Sequence, residues 1–421
     1  MERLYWNNDW KFAETWEEAM KEAVYPENEM EDVRLPHTCK ELPYHYFDEH
    51  AYQMLCGYRR HFMAPEAWQG KSVELTFEGV AHDAVVYVNG TEVKAHHCGY
   101  TAFFVEIAKY LKYGEDNVLA VRVDSRENLN IPPFGYAIDY MTFGGIYREV
   151  YVQVRNKTHL ADVFIKPQIH PLQVTTEITV QNISDGITLQ QEIRKKGEGA
   201  YSPLGKKPVK QTNVQTVFPV QEIRLWEPEN PYLYEIRTSL WKNGEMIDAR
   251  VDITGFREAV FRKDGFYLNG KKLRLRGLNR HQSYPYVGYA APASMQIFDA
   301  DILKKELGVN AVRTSHYPQS QDFIRRCDEI GLLVFTEFPG WQHIGDEEWK
   351  RQAVQNLKEM IVQYRNHPSI ILWGVRINES QDDDVFYRET NRVAHELDDT
   401  RATGGVRMLK KSHLLEDVYT Y

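Results

Sequence analysis

At 421 residues and 49.3 kDa the chain has room for two or three domains with full-sized cores. Charged residues make up 26% and hydrophobic ones 43%, a balance that excludes wholesale disorder. The formal net charge is −9, from 51 basic and 60 acidic residues, which argues against nucleic acid or an anionic membrane as partner.

Aromatic residues reach 13%. Such rings stack on sugar faces in carbohydrate-handling proteins, and they also fill β-rich cores. Cys39, Cys56, Cys98 and Cys327 form no CxxC pair and no zinc spacing, so they read as reduced thiols of a cytoplasmic protein. No basic segment followed by an apolar one opens the chain, so no secretory leader is expected. No run of apolar residues is long enough to span a membrane.

Residues 1–155 read as all-β, from short alternating runs separated by turns. Val73, Leu75 and Phe77 alternate with polar neighbours, and Ala84-Val-Val-Tyr-Val88 meets Asn89-Gly90, a strong hairpin signal. Strands over 117–124 and 148–154 complete the pattern of a sandwich or jelly roll. Between them, 130–145 is a long Gly- and Pro-containing loop of the kind that carries function. Residues 156–260 form a second β-rich block. Strand candidates lie at 160–165, 175–180, 188–193 and 232–240, and 195–210 reads as a mobile hairpin tip. An immunoglobulin-like sandwich fits that length.

From 261 to 421 apolar strands alternate with amphipathic helices, the sign of βα units and a parallel sheet. Strands are predicted over 273–281, 311–316, 332–337, 370–379 and 402–408, with a sixth beginning at 417. Helices are predicted over 300–307, 320–330, 347–364 and 384–397, with Gly308 and Gly331 as stops. That is about six of the eight strands of a (β/α)8 TIM barrel.

Four successive strands of this last block end in polar groups: His281, then Arg313 and His316, then Glu337, then Asn378 and Glu379. In a parallel barrel such ends converge on one mouth, where chemistry sits. Glu379 steps out of the apolar run Ile370-Ile-Leu-Trp-Gly374, a placement suited to a general acid. Glu337 and Glu379 could act as a pair in glycoside hydrolysis; alternatively Glu337 buttresses Arg313 or a histidine, and spacing leaves both open. His96-His97 beside Cys98 reads as a hairpin rim and not a metal cluster. Asp382-Asp-Asp384 reads as the acidic first turn of a helix. No GxGxxG, no GxxxxGK followed by Ser or Thr, and no GxSxG motif is present.

These residues resemble glycoside hydrolase family 2, the β-galactosidase and β-glucuronidase group. Asn310-Ala-Val-Arg-Thr-Ser-His-Tyr-Pro318, continuing to Gly331-Leu-Leu-Val-Phe335, is similar to one family signature. Arg365-Asn-His-Pro-Ser-Ile-Ile-Leu-Trp-Gly-Val-Arg-Ile-Asn-Glu379 is similar to its acid/base signature. Phe266-Tyr-Leu-Asn-Gly270 and Arg276-Gly-Leu-Asn-Arg-His281 resemble the barrel entry, and Phe77-Glu-Gly-Val80, Val88-Asn-Gly90 and Gly99-Tyr-Thr101 the sugar-binding domain.

The resemblance implies a jelly roll, an immunoglobulin-like domain and a barrel, and retaining hydrolysis of a terminal β-linked sugar or oligosaccharide through a covalent glycosyl-enzyme. It implies Glu379 as acid/base and Asn378 as partner of the sugar's 2-hydroxyl. His281, Arg313 and His316, with Glu337, would shape the floor, and Asp139 would reach the sugar from the first domain. In family members with a magnesium ion, the position matching Glu337 is followed two residues later by a histidine. Here Pro339 stands there, a departure from that magnesium site, and no cofactor is expected, with magnesium or sodium as the alternatives. The family's nucleophile is a glutamate ending the seventh strand, and Glu416 lies in the wrong region to replace it. A truncated chain, inactive alone, is therefore expected. The other reading is a non-catalytic carbohydrate-binding or structural protein derived from the enzyme. A β-galactoside is favoured as substrate over a β-glucuronide or β-mannoside, and a homo-oligomer is left open.

Overall fold

The computed structural model describes residues 3–45, 48–135 and 138–420. A four-stranded and a six-stranded antiparallel sheet make the first sandwich. Leu4–Tyr5, Val150–Arg155, Ser72–Phe77 and Phe103–Glu106 form the smaller sheet. Alternation sets the layers. Val73, Leu75, Phe77, Val150 and Val152 point inward and are buried with Val86, Val88, Val121 and Val123 of the larger sheet. Asn89 and Gly90, at φ 50° and 83°, make the tight turn joining Asp83–Val88 to Thr91–His96.

The second sandwich packs His159–Ile169, Leu172–Gln181 and Asn213–Pro219 on a sheet of Ser202–Pro208, Ile187–Lys195, Tyr234–Lys242 and Glu245–Thr254. The tip expected over 195–210 is in large part a strand, Ser202–Pro208, paired along Ile187–Lys195. Its lysines and glycines obscured the pairing because the strand lies at a sheet edge, where polar residues are tolerated. Residues 196–201 and 209–210 remain outside the strands.

The third unit is a partial barrel. Five parallel strands, Gly277–Arg280, Ala311–Thr314, Leu333–Glu337, Ile370–Gly374 and Ala402–Gly404, lie in chain order. Helices α1 (Ala293–Asp301), α2 (Gln321–Ile330), α3 (Glu347–Tyr364) and α4 (Asp384–Leu397) follow the first four strands. Ser320 caps α2 by accepting from Asp322, and Asp346 caps α3 by accepting from Glu348 and Trp349. Asp383 caps α4, consistent with its reading as an acidic first turn.

Several expectations change, and the first and fifth strands, expected over 273–281 and 402–408, shorten to Gly277–Arg280 and Ala402–Gly404. The first helix starts at Ala293, not 300, and ends in a π-helical turn over Ile302–Glu306. The fourth strand stops at Gly374, so Asn378 and Glu379 stand on an irregular segment above it. The sixth strand is reduced to a single bridge between Val406 and Thr420, and Tyr421 lies outside the described residues.

The domains are locked by side chains that complete backbone pairing. Asn366 accepts from Ile165 N at 2.9 Å and donates to Val163 O at 2.8 Å, as a neighbouring strand would. Arg365 pairs with Asp162, and Trp226 Nε1 donates to Asp328 O at 2.8 Å. Gly331 ends α2 at φ 71°, where an added Cβ would lie 2.3 Å from Pro228 O. Gly331→Ala combines left-handed strain with a backbone clash, and is expected to lose more than about 1 kcal/mol of stability. Denaturant unfolding reads this, and an unchanged transition would contradict it.

Candidate active site

The barrel mouth is built on a period of two. Arg313, Phe335 and Glu337 face the inside of the sheet, while Thr314 and Thr336 face the helices and hydrogen-bond each other at 2.9 Å. The Arg313 guanidinium donates to Glu337 through Nε and to Asn378 Oδ1 through Nη2 at 2.6 Å. Its Nη2 also lies 3.2 Å from His316 Nδ1, and His316 Nδ1 is 3.1 Å from Glu337 Oε2. Burial alone would raise the Glu337 pKa. Arg313 and His316 outweigh it and hold the carboxyl below its ordinary value. Of the two roles left open for Glu337, the geometry is that of a buttress.

His281 lies beside this network. Its Nδ1 is 3.1 Å from the Tyr317 hydroxyl, and its ring is 5.5 Å from that of His316. Although one edge reaches solvent, loss of hydration, reinforced by His316 and Arg313, pushes its pKa down to about 4. It is a neutral imidazole at ordinary pH.

Glu379 stands half-buried at φ 51°, a left-handed conformation uncommon for a non-glycine residue. Two segments impose it. Glu379 N donates to Val406 O at 3.0 Å, and Gln342 N donates to Asn378 O at 2.8 Å. The Gln342 amide also donates to Glu379 Oε2 at 3.3 Å. Asn378 Nδ2 is buried and has no partner among the described residues.

The long loop of the first domain closes one side. Asp139 is exposed on it, and Tyr140 inserts beneath, its ring 5.1 Å from His281 and 6.0 Å from His316. Burial, with Tyr317 and Asp139 nearby, raises the Tyr140 pKa well above its ordinary value. Tyr136 and Ala137 of this loop lie outside the described residues. Trp341 packs on His316 at 4.9 Å between ring centroids. Arg148 anchors the loop from below, donating to Gln282 at 3.1 Å and to Pro318 O at 3.0 Å.

His281, Arg313, His316, Glu337, Asn378 and Glu379 therefore meet at one mouth. Tyr140, Trp341 and Gln342 were not anticipated. The aromatic residue next to Asp139 was the one available signal; Trp341 and Gln342 lie past a strand end in a segment with no periodicity. Among the described residues no group of three or more His, Cys, Asp or Glu side chains is placed to hold a metal ion. His96 and His97 pair instead with Glu359 and Asp83. Glu416 is buried against Arg407 and Arg376.

Three family models match the chain: "Glycosyl hydrolases family 2, sugar binding domain" over 32–155, "Glycosyl hydrolases family 2" over 158–257, and "Glycosyl hydrolases family 2, TIM barrel domain" over 260–418. The chain belongs to glycoside hydrolase family 2. Among family relatives, a β-galactosidase of Thermoanaerobacter pseudethanolicus is 49% identical over 99% of this chain and 57% of its own length. One from Thermoanaerobacterium thermosulfurigenes is 47% identical over 99% of this chain and 59% of its own. The solved structure of Bacteroides uniformis β-glucuronidase 2, covalently bound to cyclophellitol-6-carboxylate aziridine, superposes with a TM-score of 0.87. It is 28% identical, over 96% of this chain and 52% of that one. The chain thus spans between half and three fifths of the length of these family members. No helix among the described residues is long and apolar enough to cross a membrane.

The depressed Glu337 pKa gives a pH signature. Its stabilisation is complete above the ordinary carboxylate value, about 4.3, and is lost as pH falls through the lower folded value. Glu337→Gln leaves Arg313 buried without its counter-charge, and is expected to cost about 3 kcal/mol at pH 7. That deficit should shrink below about pH 4 as the wild-type carboxyl protonates. Urea unfolding at several pH values checks this; a pH-independent deficit would contradict it.

Proposed function

We propose that the protein is a retaining glycosidase of terminal β-galactosides, with Glu379 as its acid/base residue. In this reading Glu379 protonates the leaving oxygen and later takes a proton from the attacking water. The observation that carries it is the setting of the Glu379 carboxylate. It stands half-buried at the mouth next to the unpaired Asn378 amide donor, held by the neutral Gln342 amide. No ion pair among the described residues ties it down. Asn378 Nδ2 suits a sugar hydroxyl, and neutral His281 can accept or donate there. Asp139 would meet the sugar from the first domain. The Glu337 carboxylate and the His316 ring are committed to Arg313 and each other, which supports a reading without a magnesium ion at these residues.

Retention requires a second carboxylate about 5 Å from the first. Glu337 is committed to Arg313 and His316, and Glu416 to Arg407. Neither is free to attack an anomeric carbon, so the 421 residues supply the acid/base half of the chemistry. Galactosides are favoured because the relatives at 49% and 47% identity are both named β-galactosidase.

The chain alone is expected to give no turnover of an aryl β-galactoside; activity abolished by Glu379→Gln would overturn the half-site reading. A chimera joining this chain to the remainder of the Thermoanaerobacter pseudethanolicus relative is expected to hydrolyse the galactoside faster than the corresponding glucuronide. In it Glu379→Gln should lower kcat by about 10²–10⁴-fold. A folded but inert chimera, or one indifferent to that change, would sink the proposal.

A further inference from the structure

A cavity of about 630 Å³ lies between the second domain and the barrel. One wall comes from the sheet of His159–Ile169, Leu172–Gln181 and Asn213–Pro219, the other from 254–260, 365–368 and 399–401. These last two segments lead into the fourth and fifth barrel strands at Ile370 and Ala402. The cavity is therefore at the opposite end of the fourth strand from Glu379.

Four cations line it: Lys166, Arg257, Arg365 and Arg401. Three of them have a carboxylate. Lys166 holds Glu177 at 2.6 Å and Asp399 at 2.8 Å, Arg365 pairs with Asp162, and Arg401 Nη1 meets Asp398 at 2.6 Å. Among the described residues no carboxylate pairs with Arg257. Its Nε donates to Pro368 O at 2.5 Å and its Nη2 to Ile370 O at 2.6 Å, while Nη1 bonds no described residue. Arg401 Nε donates to the same Ile370 O at 2.9 Å, so two guanidinium groups crowd one carbonyl.

Carbonyl oxygens satisfy donors but carry no counter-charge. The carboxylates whose field reaches Arg257, Asp398 and Asp328, are committed to Arg401 and His367. Burial, with Arg401 beside it, pulls the Arg257 pKa down to about 9. A cation kept in a cavity wall without a partner is unfavourable, and an entering oxyanion relieves it. The rest of the lining suits something larger than a lone ion. Gln168, Gln215 and Thr175 offer donors and acceptors, and the volume is that of a small-molecule site. Glu258, the one lining carboxylate with no ion pair among the described residues, is exposed to solvent.

We propose that this cavity is an anion site in which Arg257 receives the phosphate group of a small hydroxylated ester, a sugar phosphate in class. A planar guanidinium matches a pair of phosphate oxygens, and the amide and hydroxyl side chains meet the hydroxyls of the sugar. Such a ligand bridges the second domain and the barrel.

The test is calorimetric titration of the purified 421-residue chain, at constant ionic strength, with inorganic phosphate, glucose 6-phosphate and glucose. Inorganic phosphate should bind at a single site, glucose 6-phosphate more tightly, and glucose not at all. Arg257→Gln should weaken both anions at least about tenfold, as loss of a buried charge partner does. Arg257→Lys, which keeps the charge and loses the fork, should fall between that variant and the wild type. Gln215→Glu, which adds a negative charge to the wall with little change of shape, should also weaken both anions, and serves if Arg257→Gln fails to fold. Equal affinity for phosphate and its ester would overturn the ester and leave free phosphate as the ligand. No binding of either anion, or binding that neither Arg257→Gln nor Gln215→Glu alters, would overturn the site.

Discussion

The guanidinium of Arg313 holds the mouth together. It reaches Glu337 on the third strand, Asn378 above the fourth and His316 beyond its own. A planar group with five donors in a rigid fork can order several acceptors at once, which a lysine at the same place could not. Burying that charge is costly unless a carboxylate accompanies it, and Glu337 meets the need from two residues above Phe335 on the adjacent strand. Fixing Asn378 then fixes its neighbour Glu379. The left-handed backbone at Glu379 persists because Val406 and Gln342 hold the segment from both sides.

The first domain is part of the site and not an appendage. Arg148 is buried across the boundary, and Tyr140 enters among His281, His316 and Trp341. These rings exclude water, which pushes the His281 pKa down and strengthens the electrostatics around Arg313. The second domain acts from the far end, where Arg365 and Asn366 grip Asp162, Val163 and Ile165. His367 and Ser369 N both meet the Asp328 carboxylate. The run from Arg365 to Glu379 thus does two jobs: its first residues join domains and its last deliver the carboxylate.

Local pattern made much of this legible. Alternation in 73–77, the Asn89-Gly90 turn and the helix stop at Gly331 all sit where residue chemistry placed them. Local pattern failed where pairing is set by distant chain. Ser202–Pro208 is a strand because Ile187–Lys195 offers an edge, not because its own residues prefer one. The first helix begins at Ala293, before any apolar period is apparent, because Arg280 reaches Gln296 and Asp299 on it.

By itself, the sequence determined the three layered units and the polar groups at successive strand ends, because side-chain period and turn chemistry are properties of neighbouring residues. It also carried Arg313, Asn378 and Glu379 in one recognisable grammar. Only the tertiary structure decided that Glu337 buttresses an arginine, that Gln342 holds Glu379, and that Tyr140 of the first domain walls the mouth. Those relations join residues far apart in the chain, and their energies depend on distance, burial and direction in space, which no spacing along a sequence specifies.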